Sequence, residues 1–388
     1  MPKKHVINQN KYKKLATYNI WRKNVYTHEK NALLRHYLKR KTATVADQSI
    51  KQADQLTELV EVFDIQKMKE MLKEHGNRSN LYRNHQRFIN FLGDTAGFLP
   101  LAALPVDIFV SLEKLRLDYP NFSEVVDYYR QQFSLAQLSD YSVFSATPLL
   151  LVGPPGVGKT AFCHALAKII GTHFELISLS GMTAGFVIGG MSSGWSDGKP
   201  GKVVEALARS RPHIANPLIV LDECDKSGGD KRYDPMGPMY QLLEKETAVT
   251  FIDEALETPC NCAHIVWIST ANSIDKIAEP ILSRFTVINV ERPSSEQMEN
   301  VLRSIYSKIR GTYSWGSRFD ENLSYGVVSK IIDSELEPRR IQMELIAACG
   351  KAALRNSDKK TSDMQHNILP KDFEPRDIGV HKVRMGFI

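Results

Sequence analysis

The 388-residue chain contains no apolar run fit to cross a bilayer. The longest, Gly97 to Leu112, is broken by Pro100, Pro105 and Asp107, whereas a spanning helix needs roughly 20 mostly apolar residues. The N-terminus has lysines but no apolar core followed by small residues. No secretory signal is therefore expected, and the cytoplasm is the expected compartment. Cysteine is sparse: Cys163, Cys224, Cys260, Cys262 and Cys349 are five scattered residues, which argues against a disulfide framework. Cys260-Asn261-Cys262 lacks the two-residue spacer and second ligand pair of a zinc site, and reads as a loop or strand edge. Internal repeats are absent. Residues 1–45 are nearly devoid of acid, with Glu29 alone against twelve Lys and Arg, a net +11. Since the whole chain carries +6, the remainder sums to −5, and the basicity is local. Such an arm suits nucleic acid, an anionic lipid surface or an acidic partner, or it is simply a solvated extension.

What is present is ordinary globular composition, 43% hydrophobic and 24% charged, in a chain long enough for two or three domains. Its strongest local signal is Gly153-Pro154-Pro155-Gly156-Val157-Gly158-Lys159-Thr160, directly after the apolar run Pro148 to Val152. A buried strand, a glycine turn and a helix (Ala161 to Ile170) form a phosphate-binding loop. Backbone N–H groups converge on a polyphosphate, and the helix N-terminus adds positive potential. Lys159 is placed to reach the β- and γ-phosphates of ATP, and Thr160 to hold Mg²⁺.

From Ala46 to about Gly76 the pattern predicts helices. Leu56, Leu59, Val60 and Phe63 recur at helical spacing, and Asp64 can cap a second segment with Ile65, Met68, Met71 and Leu72. Residues 81–93 and about 122–138 continue this, so 46–140 is a helical N-terminal region following a basic arm at 1–45. Arg83, His85 and Arg87 alternate there with Tyr82 and Phe88, which suits either base stacking or an amphipathic core helix. Strand signals follow at 148–152, 174–179, 217–221, 264–270 and 285–290. Helical segments separate them, and several are continuous apolar runs, so 141–291 is predicted as an α/β domain with a parallel sheet. After Arg292-Pro293 the chain turns helical again, at 295–309, about 320–333 and 338–355. Residues 292–388 are the expected helical lid.

The second strong motif is the apolar strand Leu218 to Leu221 ending in Asp222-Glu223, about sixty residues past the glycine loop. Such a strand delivers two carboxylates to the C-terminal sheet edge. Asp222 would bind Mg²⁺ through water and Glu223 would polarise the attacking water. Three further polar residues fall where an oligomeric ATPase needs them. Asn272 would orient the lytic water, Arg284 is a candidate arginine finger, and Arg339 would meet the γ-phosphate from the lid.

This order resembles that of the AAA+ ATPases, and residues 148–291 resemble the ATPase module of Lon proteases. The similarity is carried by Leu151-Val152 with the glycine loop, Ile177 to Gly181, Pro200-Gly201-Lys202, Leu221 to Lys226, Asp234-Pro235, Ser269 to Ser273 and Pro280 to Phe285. It extends through the lid to about residue 380, while residues 1–110 show no match. The resemblance implies a ring, usually a hexamer, with ATP between subunits and Arg284 acting on the neighbour's nucleotide. It also implies that Trp195 lines a central pore and grips an unfolded polypeptide, although Ser196-Asp197 replaces the usual aliphatic residue after the aromatic. Lys231, Arg232 and Tyr233 fall in a second loop near that pore. Lon proteases continue into a serine-lysine protease domain, whereas this chain ends at Ile388 without a Pro-Lys-Asp-Gly-Pro-Ser segment, so no intrinsic proteolysis is expected. The expectation is an ATP-hydrolysing motor that remodels protein substrates through its pore loop and N-terminal region. The alternative is a nucleic-acid-associated ATPase using the basic arm.

Overall fold

The structure is a computed structural model, and it describes residues 58–375 apart from 75–78, 94, 140–141, 181–184, 211–212, 227–233 and 357–364. In chain order the N-terminal part comprises β1 (Leu59–Glu61), α1 (Ile65–Glu74), α2 (Asn80–Leu92), β2 (Phe98–Pro100), α3 (Ile108–Asp118) and α4 (Ser123–Ala136). The central part holds β3 (Leu149–Val152), α5 (Lys159–Ile170), β4 (Phe174–Ser178), α6 (Lys202–Arg209), β5 (Leu218–Asp222), β6 (Phe251–Ile252), β7 (Pro259–Cys260), β8 (Val266–Ala271) and β9 (Thr286–Asn289). Three long helices follow: α7 (Ser295–Thr312), α8 (Tyr325–Asp333) and α9 (Pro338–Arg355).

Five strands form one parallel sheet in the order β4-β5-β8-β3-β9. Both faces of the three central strands, β5, β8 and β3, are buried, and the period of two along each divides its side chains between two cores. Leu149, Leu151, Val220 and Ile268 face a core shared with α3, α4 and α5. Leu150, Ile219, Leu221 and Trp267 face the opposite core, shared with α2 and α6. This double burial is why the strands read as unbroken apolar runs. Their C-terminal ends, at Val152, Ser178, Asp222 and Ala271, lie along one edge. The lid helices have a core of their own, built on Leu302, Tyr306, Ile309, Ile331, Ile341, Leu345 and Phe373. Its entry is fixed by a reciprocal cap, with Gln297 N donating to Ser294 Oγ (3.2 Å) and Ser294 N to Gln297 Oε1 (3.0 Å).

One predicted helix is a strand. Leu59, Val60 and Glu61 pair antiparallel with Pro100, Leu99 and Phe98. Phe63 bridges to Cys260. The spacing of Leu59, Val60 and Phe63 also fits a strand and bend whose apolar residues fall into the α2–α6 core. Long-range pairing overrides the local periodicity. The start of the next helix is as expected: Asp64 Oδ1 accepts Lys67 N–H at 2.8 Å at the head of α1. Helix α3 begins inside the apolar stretch that prolines break, at Ile108 just past Pro105, where a proline interferes least, and runs beyond it to Asp118. Cys260 closes a strand edge and Cys262 lies just beyond it, both buried and unpaired, and burial raises both thiol pKa values.

Candidate active site

The glycine loop joins β3 to α5, and its shape depends on missing side chains. A Cβ on Gly153 would lie 2.0 Å from the Val290 carbonyl oxygen, which belongs to the segment leaving β9. Gly156 and Gly158 have φ of +83° and +106°, the left-handed region that glycine enters freely. Lys159 opens α5 and is buried. Its Nζ donates to Gly153 O (2.6 Å), Pro154 O (3.1 Å) and Asn272 Oδ1 (3.2 Å). Burial lowers its pKa, while the carboxylates of Asp222, Asp225 and Glu223 oppose the shift. The ammonium therefore sits pre-oriented in the loop with a solvation deficit that a phosphate would relieve.

Thr160 lies next to it, and its Oγ1 donates to Asp222 Oδ1 at 3.1 Å. Asp222 ends β5, between Ser178 of β4 and the β8 strand. Thr270, on β8, donates to the same carboxylate oxygen at 2.5 Å and accepts the Glu223 N–H at 3.1 Å. That threonine is nearly inaccessible, and the motif Ser269 to Ser273 that contains it assigns it no role. The only local signal is two hydroxyls, Ser269-Thr270, in an otherwise apolar strand interior. Glu223 sits at φ +60°, a strained value for a residue with a side chain. Its carboxylate accepts from Lys226 Nζ, and that hydrogen bond first, with Ser180 and the nearby cations, holds it below the usual carboxylate range. It is ionised at neutral pH.

These groups open into a cavity of about 610 Å³ between the sheet edge and the lid. Pro155 to Thr160, Asp222, Glu223 and Asn272 line one side, and Arg339 and Lys308 line the lid side. Tyr119 and Asn121 also line it, the Tyr119 hydroxyl donating to Ala161 O at 3.2 Å. Tyr119 meets Phe162 edge-on at 5.6 Å, and Lys308 Nζ sits 4.4 Å from the Tyr119 ring centroid while bonding its hydroxyl. Lys308 and Tyr119 carry no motif of their own, so nothing in the sequence marks them.

Arg284 is elsewhere. It does not line this cavity; its Nη2 pairs with Glu244 Oε1 at 2.6 Å and its guanidinium lies 5.6 Å from the Tyr240 ring centroid. Trp195 is 67% exposed, on the loop between Gly190 and Gly201. Lys231, Arg232 and Tyr233, and the basic arm at 1–45, lie outside the described residues. On α2 the structure selects the core alternative: His85 and Phe88 are fully buried, His85 Nε2 is 2.6 Å from Leu256 O, and Arg87 pairs with Glu205. Base stacking on Phe88 is thereby ruled out.

Residues 149–292 match the family model described as ATPase family associated with various cellular activities (AAA). The chain is 27% identical over 357 residues to a mitochondrial Lon protease homolog of Ostreococcus lucimarinus, covering 89% of this chain and 36% of that protein. It is 32% identical over 210 residues to the Lon protease of Citrifermentans bemidjiense (53% and 26% covered), and 28% identical over 242 residues to peroxisomal Lon protease homolog 2 of Spinacia oleracea (61% and 26%). Among solved structures, the extended conformation of the S. cerevisiae Hsp104:casein complex superposes with a TM-score of 0.52 at 12% identity, covering 67% of this chain and 50% of that one. Residues 149–292 are therefore an AAA ATPase domain, with the AAA fold and helical regions on either side. The chain that carries it is homologous to Lon proteases over most of its length. An alignment covering 89% of the chain reaches into residues 1–110, where motif reading finds no similarity. The chain spans about a quarter to just over a third of the length of these curated relatives. No helix among the described residues is long and apolar enough to cross a membrane.

The donor set fits a magnesium nucleotide. Mg²⁺ favours hard oxygens and keeps most of its shell for water and phosphate, taking one or two protein ligands. The Thr160 hydroxyl and Asp222 carboxylate supply that minimum. No cluster of three or more His, Cys, Asp or Glu among the described residues offers a fuller protein cage.

Proposed function

We propose that this chain is an Mg-dependent ATP-hydrolysing ring motor, hexameric in its working form, that remodels or unfolds protein substrates. The observation that carries the reading is the division of the hydrolytic groups. Lys159, Thr160, Asp222, Glu223, Asn272 and Arg339 converge on one cavity, whereas Arg284 lies outside it.

In this reading the loop N–H groups and Lys159 bind the phosphates, and Thr160 and Asp222 hold Mg²⁺. When bound, the ion supplies charge neutralisation on the phosphates. Glu223 accepts the proton of the attacking water, and its low pKa keeps it in the accepting form. Asn272, already bonded to Lys159, orients that water at the γ-phosphate end. Arg339 draws the lid onto the γ-phosphate, and Arg284 is presented to the cavity of the next subunit. Trp195, exposed on a glycine-flanked loop, is the contact for an extended polypeptide. The Hsp104 structure of like fold was solved in complex with casein, and its likeness adds support to a polypeptide substrate.

The test is ATP turnover with and without an unfolded polypeptide such as reduced casein, on material shown by light scattering to be assembled. Stimulation that Trp195→Ala abolishes supports the motor. An assembled wild-type ATPase indifferent to unfolded polypeptide overturns it.

A further inference from the structure

The loop that carries Trp195 is held from outside the ATPase sheet. Helix α2 is capped by Ser79, whose Oγ accepts the Tyr82 N–H at 3.1 Å, and Asn80 is its first residue. Arg83 donates to Asn80 Oδ1, which fixes the carboxamide so that its NH₂ faces the loop. That NH₂ is directed at three loop carbonyls: Ser193 O (3.4 Å), Ser196 O (3.2 Å) and, closest, Trp195 O. One turn along, Asn84 is buried and donates to Gly198 O at 3.2 Å. The next residue, His85, contacts Leu256 O in the segment that closes the loop from its other side.

That segment binds the loop at both ends. The Gly201 N–H donates to Asp253 Oδ2 (2.7 Å), Glu254 N–H to Gly189 O (2.9 Å), and Ser193 Oγ to Glu257 Oε1 (2.5 Å). Gly190 passes so close to Asp253 that a Cβ there would lie 2.4 Å from its Oδ1. Helix α2 also grips α6, the helix immediately after the loop. Arg87 of α2 pairs with Glu205 of α6, and Arg209 of α6 lies over the Phe91 ring of α2 at 5.4 Å. The apolar side of α2, Leu81, Phe88 and Leu92, is sunk in the body.

We propose that α2 is a splint for the Trp195 loop, with Asn80 and Asn84 as positioning residues. The loop then keeps a fixed attitude to the N-terminal region instead of flapping on its glycines. A perturbation of the N-terminal region is transmitted to Trp195 through these carboxamides. The inference rests on the reading of Trp195 as a polypeptide contact for its functional consequence, but not for the mechanical link itself.

Asn80→Asp tests it cleanly. The change keeps the shape and the acceptor for Arg83, and an acid in the first helical turn favours the helix. It removes both donor protons and sets negative charge against the loop carbonyls. Hydrogen exchange in the assembled protein reads the result at three loop amides: Met191, bonded to Lys199 O, Trp195, bonded to Ser192 O, and Gly198, bonded to Trp195 O. Loss of one or two neutral hydrogen bonds predicts exchange about tenfold faster there. Amides of β3 and β5, and nucleotide affinity, stay as in the wild type. The double variant Asn80→Ala with Asn84→Ala repeats the effect without added charge. Loop exchange unchanged in both variants overturns the splint. A loosened loop with polypeptide stimulation of ATP turnover at wild-type KM overturns its role in positioning Trp195. A loosened loop in a protein whose wild type ignores polypeptide leaves the splint standing and removes the motor reading.

Discussion

Glu223→Gln isolates the chemical step from binding. The substitution is isosteric, so the residue keeps φ +60° and its N–H to Thr270 Oγ1, and the backbone strain is carried equally by both proteins. The ion pair to Lys226 is lost, but both partners are open to solvent, which screens the pair, so the fold loses little with it. The phosphate and metal ligands are untouched, because Thr160 and Thr270 both bond to Asp222. What disappears is a carboxylate that Lys226 holds below its ordinary pKa, ready to accept a proton. A positioned general base is worth about 10²–10⁴ in rate, or about 3–5 kcal/mol of barrier. Phosphate release should therefore fall by at least about a hundredfold, while a fluorescent ATP analogue binds within about threefold of wild type. Turnover within about threefold of wild type would refute Glu223 as the base. Affinity lost in parallel with turnover would instead place Glu223 among the binding groups.

Lys159→Ala should abolish measurable nucleotide binding in the same fluorescence assay, since it removes a buried ammonium bonded to the loop; tight ATP binding by this variant contradicts the phosphate-loop reading. Arg284→Ala and Lys159→Ala, each inactive alone, should recover part of the ATPase when mixed, because an intact finger then meets an intact pocket; no recovery at any ratio rejects a finger supplied by the neighbour. In the lid, Asp372 is buried and bonded to Arg355 Nη2 (2.9 Å) and Leu369 N–H (2.9 Å). Burial alone would raise its pKa, but the Arg355 and Leu369 hydrogen bonds outweigh it and the net shift is downward. A depressed folded pKa stabilises above the unfolded value, near 3.9, and the gain fades as pH falls through the folded value. Asp372→Asn should thus cost about 1–3 kcal/mol at pH 7. Its Tm deficit should shrink below about pH 4, and a deficit independent of pH refutes the linkage.

The ATPase core is legible in sequence because its constraints are local. The glycine loop needs glycine where φ is positive and where Val290 O passes within reach of Gly153. The parallel strands need apolar runs because two helical layers cover them. The site residues that sit at strand ends, Asp222 and Asn272, follow from the same logic. Residues placed by tertiary approach are not legible in this way. Thr270 looks like any strand threonine until β8 sets it beside Asp222, and Lys308 looks like a solvated helix lysine until α7 crosses Tyr119. Strand β1 fails for a related reason. Three residues carry too little periodicity to declare a strand, and the partner, Phe98–Pro100, lies almost forty positions away.

Charge sharpens the case for a shared site. The ionisable side chains lining the cavity are Lys159, Lys308 and Arg339 against Asp118, Asp222 and Glu223, a sum of zero. A magnesium triphosphate still carries excess negative charge, and more develops on its oxygens as the terminal phosphoryl group leaves. A pocket that is neutral by itself has no surplus cation for that moment. In the proposed ring Arg284 would supply that cation on leaving Glu244, with which it pairs in its own chain beside Tyr240, just ahead of β9. A guanidinium stays protonated in any setting, so burying it between subunits does not discharge it. The balance is met if each subunit keeps its own Lys159 and receives Arg284 from the next, which ties the turnover of one nucleotide to the placement of its neighbour.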